Sequence, residues 1–104
     1  MTDRFRIIIL PEAQGDLARI YAHISADSPD NATGMIERIL DSIDLLKIFP
    51  QRHSIEPQAR GIPNARRTLP VWPYVVFFRV IDAEYRVLIL TIRHGARRRP
   101  KRLT

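Results

Sequence analysis

The run Tyr74-Val75-Val76-Phe77-Phe78-Arg79-Val80-Ile81-Asp82-Ala83-Glu84-Tyr85-Arg86-Val87-Leu88-Ile89-Leu90-Thr91-Ile92-Arg93-His94 decides the fold. In an extended chain Tyr74, Val76, Phe78 and Val80 share one face, and Val75, Phe77 and Ile81 share the other, so both sides are apolar. Asp82-Ala83-Glu84 is a compact polar turn, and Tyr85 to His94 is again rich in Val, Leu and Ile. Two antiparallel strands joined as a hairpin are therefore expected. Just upstream, Arg66-Arg67-Thr68-Leu69 reads as a further strand interrupted by Pro70. From Pro50 to Ala65, Pro50, Pro57, Gly61 and Pro63 fall without a sustained period, and an irregular segment is predicted.

Before Pro50 the period changes. Met35, Ile36, Ile39, Leu40, Ile43 and Leu46 occupy an arc of roughly 140° at a helical repeat, with Glu37, Asp41 and Asp44 on the solvated side. Ser28-Pro29-Asp30 supplies an N-cap, a proline at the first helical position and an acid in the first turn. An earlier helix is predicted from Pro11 to Ala26. Its apolar residues Ala13, Leu17, Ile20, Tyr21 and Ile24 recur at three- and four-residue steps, and Asp16, Arg19 and His23 are placed opposite them. So short a break between the helices predicts an antiparallel helical hairpin. Residues 4–10, Arg4-Phe5-Arg6-Ile7-Ile8-Ile9-Leu10, make a first strand. The expected architecture is α+β: an N-terminal strand, an antiparallel helical hairpin, then a three-stranded antiparallel meander forming one sheet with the first strand.

A length of 104 residues, 45% hydrophobic and 27% charged, fits one ordinary globular domain with one core. There is no cysteine, which removes disulfides, thiolate metal sites and cysteine nucleophiles. No apolar run is long enough to cross a bilayer, and a cytoplasmic protein without membrane partners is expected. Of the 17 Lys and Arg, six follow Ile92: Arg93, Arg97, Arg98, Arg99, Lys101 and Arg102. No acid follows Glu84, so the net charge of +6 resides at the C-terminal end. The chain divides into a domain of residues 1–97 and a basic tail of residues 98–104. Such a block suits nucleic acid, an acidic protein segment or an acidic nucleotide-handling enzyme, or is simply a solvated tail.

Several motifs in this order resemble the RelE/ParE superfamily of bacterial type II toxin-antitoxin toxins, in particular its ParE-like branch. They are Pro11-Glu12-Ala13 opening the first helix, Pro29 and Ala32 opening the second, and Leu46 through Phe49-Pro50 closing it. Arg67 ahead of Tyr74 to Val80, and the final Ile92-Arg93-His94-Gly95-Ala96-Arg97, complete the set. The resemblance runs from about Phe5 to Arg97. It implies a growth-arresting toxin with a RelE/ParE-like fold, held inactive by a cognate antitoxin, ParD-like and of ribbon-helix-helix type. ParE-like members poison DNA gyrase, whereas RelE-like members cleave mRNA on the ribosome. A degenerate module that only binds antitoxin is a third possibility.

The residues bear on the choice. Cleavage through a 2′-hydroxyl needs a base, an acid and cations around the phosphorane. His94 is the acid or base candidate beside Arg93 and Arg97, His53 and Glu56 offer a second group, and Arg67 a phosphate contact. Gly95 follows His94 where RelE-like nucleases carry tyrosine or further charged groups, and no complete catalytic set is visible. A gyrase poison needs a binding surface alone, for which Arg93, His94, Arg97, Arg98, Arg99, Lys101 and Arg102 are the candidates. ParE-like proteins often place an acid soon after this stretch, where this chain continues with arginines. Trp72, Tyr74, Tyr21 and Phe49 are candidate antitoxin anchors, with core packing the competing role for Tyr21 and Phe49. His23, His53 and His94 lack metal-ligand spacing and no Gly-rich phosphate loop is present, so neither metal nor cofactor is expected.

Overall fold

The computed structural model describes residues 4–55 and 57–95. Strand β1 (Arg6–Ile9) leads into helices α1 (Pro11–Ser25) and α2 (Pro29–Asp44), followed by strands β2 (Arg67–Val71), β3 (Tyr74–Ile81) and β4 (Arg86–His94). One mixed sheet results, in the order β1-β4-β3-β2. The last three strands form the expected antiparallel meander, and β1 lies beside them, parallel to β4 with Arg6 opposite Arg86 and Ile9 opposite Ile89. A parallel neighbour requires a long crossover, which the helices supply.

Local chemistry explains the helical hairpin. Pro11 and Pro29 each open a helix in the first turn, where a missing N–H costs nothing. Ser28 caps α2: its hydroxyl accepts from the Asn31 N–H at 3.2 Å and its carbonyl from Ala32 at 3.0 Å. α2 buries Ala32, Met35, Ile39 and Ile43, and α1 buries Ala13 and Ile20, with Leu17 and Ile24 partly covered. These pack on Tyr74, Val76, Phe78 and Val80 of β3 and Val87, Ile89 and Ile92 of β4. Tyr21, counted above with the apolar side of α1, is 42% exposed.

Three expectations are corrected. Pro70 does not interrupt its strand: β2 continues through it to Val71, with Pro70 opposite Val75. β2 has only one neighbouring strand, so a residue without an N–H is tolerated there. The segment from Pro50 to Ala65 has little regular structure, as expected, yet much of it is tied down. Arg67 donates through Nη1 to the carbonyls of Gln51 (2.9 Å) and His53 (2.7 Å), the Thr68 N–H bonds to the Ser54 carbonyl, and Ile55 bridges to Arg67. The His53 ring meets Phe78 edge-on at 5.9 Å. Further along, Arg66 lies over the Phe77 ring and Arg79 holds the Asn64 carbonyl, on the sheet face away from the helices.

The third correction is Asp16, which is not on the solvated side of α1. β1 ends opposite Ile89, but β4 runs on to His94, so the last turns of β4 have a bare edge. The Asp16 carboxylate fills it, accepting from the Thr91 hydroxyl at 2.7 Å and the Ile92 N–H at 2.9 Å through Oδ2, while Arg19 binds Oδ1 at 2.7 Å. Thr91 is the one buried polar residue among those described, and this contact satisfies it.

Two predictions follow from these anchors. Asp16→Ala strips acceptors from a strand N–H and a buried hydroxyl and is expected to cost about 2–3 kcal/mol in urea denaturation, with Asp16→Asn costing about half as much. Burial alone raises the Asp16 carboxyl, but the Thr91 hydroxyl, the Ile92 N–H and Arg19 together hold it below its ordinary 3.8. Its stabilisation is therefore complete above that pH and is lost as pH falls through the folded value. Burial first, then the Arg52 and Arg67 cations, hold the His53 imidazole below its ordinary 6.5. The folded state resists its protonation, so stability falls as pH drops below 6.5, and His53→Gln removes that part of the pH dependence. An unchanged acid slope in His53→Gln would refute this placement of the ring.

Candidate functional site

A bulge in β4 sets the site. Phe77 pairs with Thr91 but Phe78 with Ile89, which leaves Leu90 as an extra residue. Side chains alternate with a period of two, so without the bulge Thr91 and Arg93 would follow Val87 and Ile89 onto the helix face. With it, Ile92 and His94 take that face, opposite Val76 and Tyr74. His94 is thereby turned toward α1, and its ring meets Tyr74 edge-on at 5.4 Å.

Between α1 and this end of the sheet lies an open cleft of about 500 Å³. From the sheet come Tyr74, Ile92, Arg93 and His94; from α1 come Glu12, Asp16, Arg19 and His23, around Ile20. Arg93 reaches Glu12 at 3.8 Å and donates from Nε to the Thr91 hydroxyl at 3.4 Å. Arg19 is held by Asp16. Each guanidinium thus faces a carboxylate, and an incoming anion has to compete with Glu12 or Asp16 for it. The cleft suits a ligand bearing both signs of charge better than an isolated phosphate.

One wall continues into the β2–β3 turn. The Gly95 N–H bonds to the Pro73 carbonyl at 2.6 Å, and a Cβ on Gly95 would sit 2.3 Å from the Trp72 ring. Glycine at this position lets the indole lie against the chain. Arg38 of α2 donates to the Trp72 carbonyl at 3.3 Å and ties the turn to the helices. Trp72 itself remains 63% exposed.

The structure brings together some of the predicted site residues and separates others. Tyr74, Arg93 and His94 meet in the cleft, with Trp72 alongside. Tyr74 is buried, while Phe49 and Tyr21 are exposed rather than core residues. Phe49 follows α2 near Lys47, whose carbonyl takes the Phe5 N–H, and so lies at the opposite end of the sheet from Trp72. Arg67 pairs with Phe78 on β2, two strands from β4 and four residues along from the Tyr74–His94 pair. At about 3.3 Å per residue and 4.8 Å per strand, that separates Arg67 from His94 by roughly 16 Å. Glu56, Arg97, Arg98, Arg99, Lys101 and Arg102, with the 98–104 tail, lie outside the described residues.

Sequence reasoning missed the contribution of α1. Glu12, Asp16, Arg19 and His23 are spaced by four, three and four residues, which is a continuous stripe on one helix face. The stripe was visible, but a polar stripe ordinarily faces water, and only the short β1 makes this one a wall. Among the described residues no group of three or more His, Cys, Asp or Glu is arranged to hold a metal ion, and no helix is long and apolar enough to cross a membrane.

The fold is similar to that of solved toxin-antitoxin proteins. The chromosomal ParDE system from P. aeruginosa contains a chain that superposes with a TM-score of 0.68 at 23% identity, covering 88% of this chain and 96% of that one. A chain of the RelBE2 toxin-antitoxin complex from Mycobacterium tuberculosis superposes with a TM-score of 0.58 at 16% identity, covering 88% and 98%. Among proteins with curated descriptions, none matches the sequence. The family described as the ParE toxin of the type II toxin-antitoxin system parDE matches residues 7–99. With that match spanning the strand, the helical hairpin and the meander alike, the chain belongs to the ParE toxin family.

Proposed function

We propose that this toxin arrests growth by binding DNA gyrase, with no bond-breaking step of its own, and that a cognate antitoxin of ParD type neutralises it. The observation that carries the reading is the separation of the nuclease candidates. Arg67 is committed to the carbonyls of Gln51 and His53, at the far side of the sheet from His94 and Arg93. A phosphodiester could not touch both groups at once. The end of β4 instead offers a contact surface. Arg93 is exposed, Trp72 projects beside Gly95, and the sequence continues into Arg97, Arg98, Arg99, Lys101 and Arg102. Cations clustered beyond a strand end favour encounter with a large acidic enzyme and its bound DNA.

One feature favours the second reading, ribosome-dependent mRNA cleavage. The cleft holds two imidazoles, His23 and His94, together with Arg19 and Arg93, and these group types are the ones 2′-hydroxyl transesterification uses.

Supercoiling and cleavage-complex assays with purified gyrase separate the two. The toxin is expected to inhibit supercoiling, and replacement of Arg97, Arg98, Arg99, Lys101 and Arg102 by glutamine to weaken inhibition by at least ~10-fold, as lost electrostatic steering predicts. His94→Ala changes little in a gyrase poison but costs on the order of 10² to 10⁴ in rate if the imidazole moves a proton in RNA cleavage. Cleavage of translated mRNA with supercoiling untouched at saturating toxin would overturn the gyrase reading.

A further inference from the structure

β1 is an edge strand, with β4 on one side and no described strand on the other. In a parallel ladder alternate residues turn their N–H and C=O toward a given neighbour. The Arg6 N–H bonds to the Tyr85 carbonyl at 2.8 Å and the Leu10 N–H to the Ile89 carbonyl at 3.0 Å, so the even-numbered residues serve β4. The odd-numbered ones face outward, and two of their groups are already closed. The Phe5 N–H is taken by the Lys47 carbonyl at 2.8 Å, and the Ile9 carbonyl by the Gln14 side-chain amide at 2.8 Å. Between these closures the Ile7 N–H and C=O and the Ile9 N–H have no partner among the described residues.

Beside this gap runs a groove of about 460 Å³ between β1 and α2. Ile7, Ile9, Leu40 and Ile43 make its apolar lining, and Arg6 and Lys47 stand at its margin. Leu40 is 39% exposed. Leu45, Ile48 and Phe49 extend the exposed apolar surface around Lys47, and Phe49 is held there in a left-handed backbone at φ 49° that a bulky residue seldom adopts.

Charge selects the occupant. The acids nearby are already paired, Asp44 with Lys47 and Glu84 with Arg86, whereas Arg4 and Arg6 have no ion-pair partner among the described residues. A second copy of this chain added edge to edge would bring those arginines against their own kind. We infer that the groove takes an extended segment of the antitoxin, alternating apolar and acidic residues, added to the sheet as a fifth strand along β1. The inference rests on the antitoxin reading above. Main-chain bonds to Ile7 and Ile9 set the register, apolar side chains of one parity enter the groove, and carboxylates meet Arg4 and Arg6.

The test uses the full chain co-purified with the product of the reading frame adjoining its gene, with amide hydrogen exchange resolved by residue. In the free toxin the Ile7 and Ile9 amides exchange readily; in the complex they are expected to slow by at least about tenfold. Arg6→Glu and Leu40→Glu, both at exposed positions, are expected to weaken the complex by at least ~10-fold while leaving the melting temperature of the free toxin unchanged. A complex that forms with Ile7 and Ile9 exchange unaltered overturns the inference and leaves the antitoxin reading intact. Slowing at these amides in the toxin alone, rising with its concentration, overturns it in favour of a second copy. Failure of the two proteins to associate at all removes the antitoxin reading, and the inference with it.

Discussion

The carboxylate of Asp16 does what a longer β1 would otherwise do. β1 has four residues and β4 has nine, so the sheet runs out of partners on that side while β4 is still extended. An unpaired strand N–H beside a buried hydroxyl is a poor place to end a sheet, because each group left without a partner carries a desolvation penalty. One ionised oxygen accepts from both, and its own charge is balanced by Arg19 from the same helix face. The contact joins residues 75 and 76 positions apart in sequence and sets where α1 lies against β4. Glu12, Arg19 and His23 are then carried to the rim of the cleft as a consequence, because they share the stripe with Asp16.

How much of this was legible in the sequence depends on the range of the interaction. The helical hairpin was readable because its causes are local: Ser28 and Pro29 start α2, and the Met35–Ile39–Ile43 repeat shows its buried face. The β3–β4 hairpin was readable for the same reason, through two β-branched runs around Asp82-Ala83-Glu84. Asp16 was misplaced because its partners are supplied by another element, and by helix periodicity alone a carboxylate belongs in water. Arg67 was read as a phosphate contact because nothing nearby in sequence shows that two carbonyls some fifteen residues upstream would saturate it. The Leu90 bulge was likewise invisible, since Leu88 to Ile92 alternates equally well in either phase, yet the bulge decides whether His94 faces α1.

The two readings of the cleft differ in what its charges are for. In a nuclease the arginines must be available to a phosphorane and the acid and base must stand on opposite sides of one phosphate. In a binding surface the same side chains need only present a pattern. Here Arg93 faces Glu12 and Arg19 faces Asp16, so the ground state already neutralises the cations a transition state would use. A protein partner with both signs of charge can exchange those pairs one for one, at little electrostatic cost, whereas a polyanion has to displace the carboxylates.

Geometry also relates the two surfaces. Ile9 is the last residue of β1, Leu10 follows, and Glu12 already lies in the first turn of α1, where it faces Arg93. An extended segment lying along β1 and continuing past Ile9 therefore arrives at the mouth of the cleft without turning back. An acidic residue carried there competes with Glu12 for Arg93 and occupies the rim from which the basic C-terminal sequence departs. By contrast Arg6, at the other end of β1, pairs with Arg86, and His94 is eight residues further along β4, roughly 26 Å at strand rise. A segment confined to the Arg6 end could bind without touching the target face. Neutralisation by strand addition thus requires the partner chain to run from Arg6 toward Ile9 and onward, parallel to β1, which makes the direction of the added strand the link between binding the toxin and silencing it.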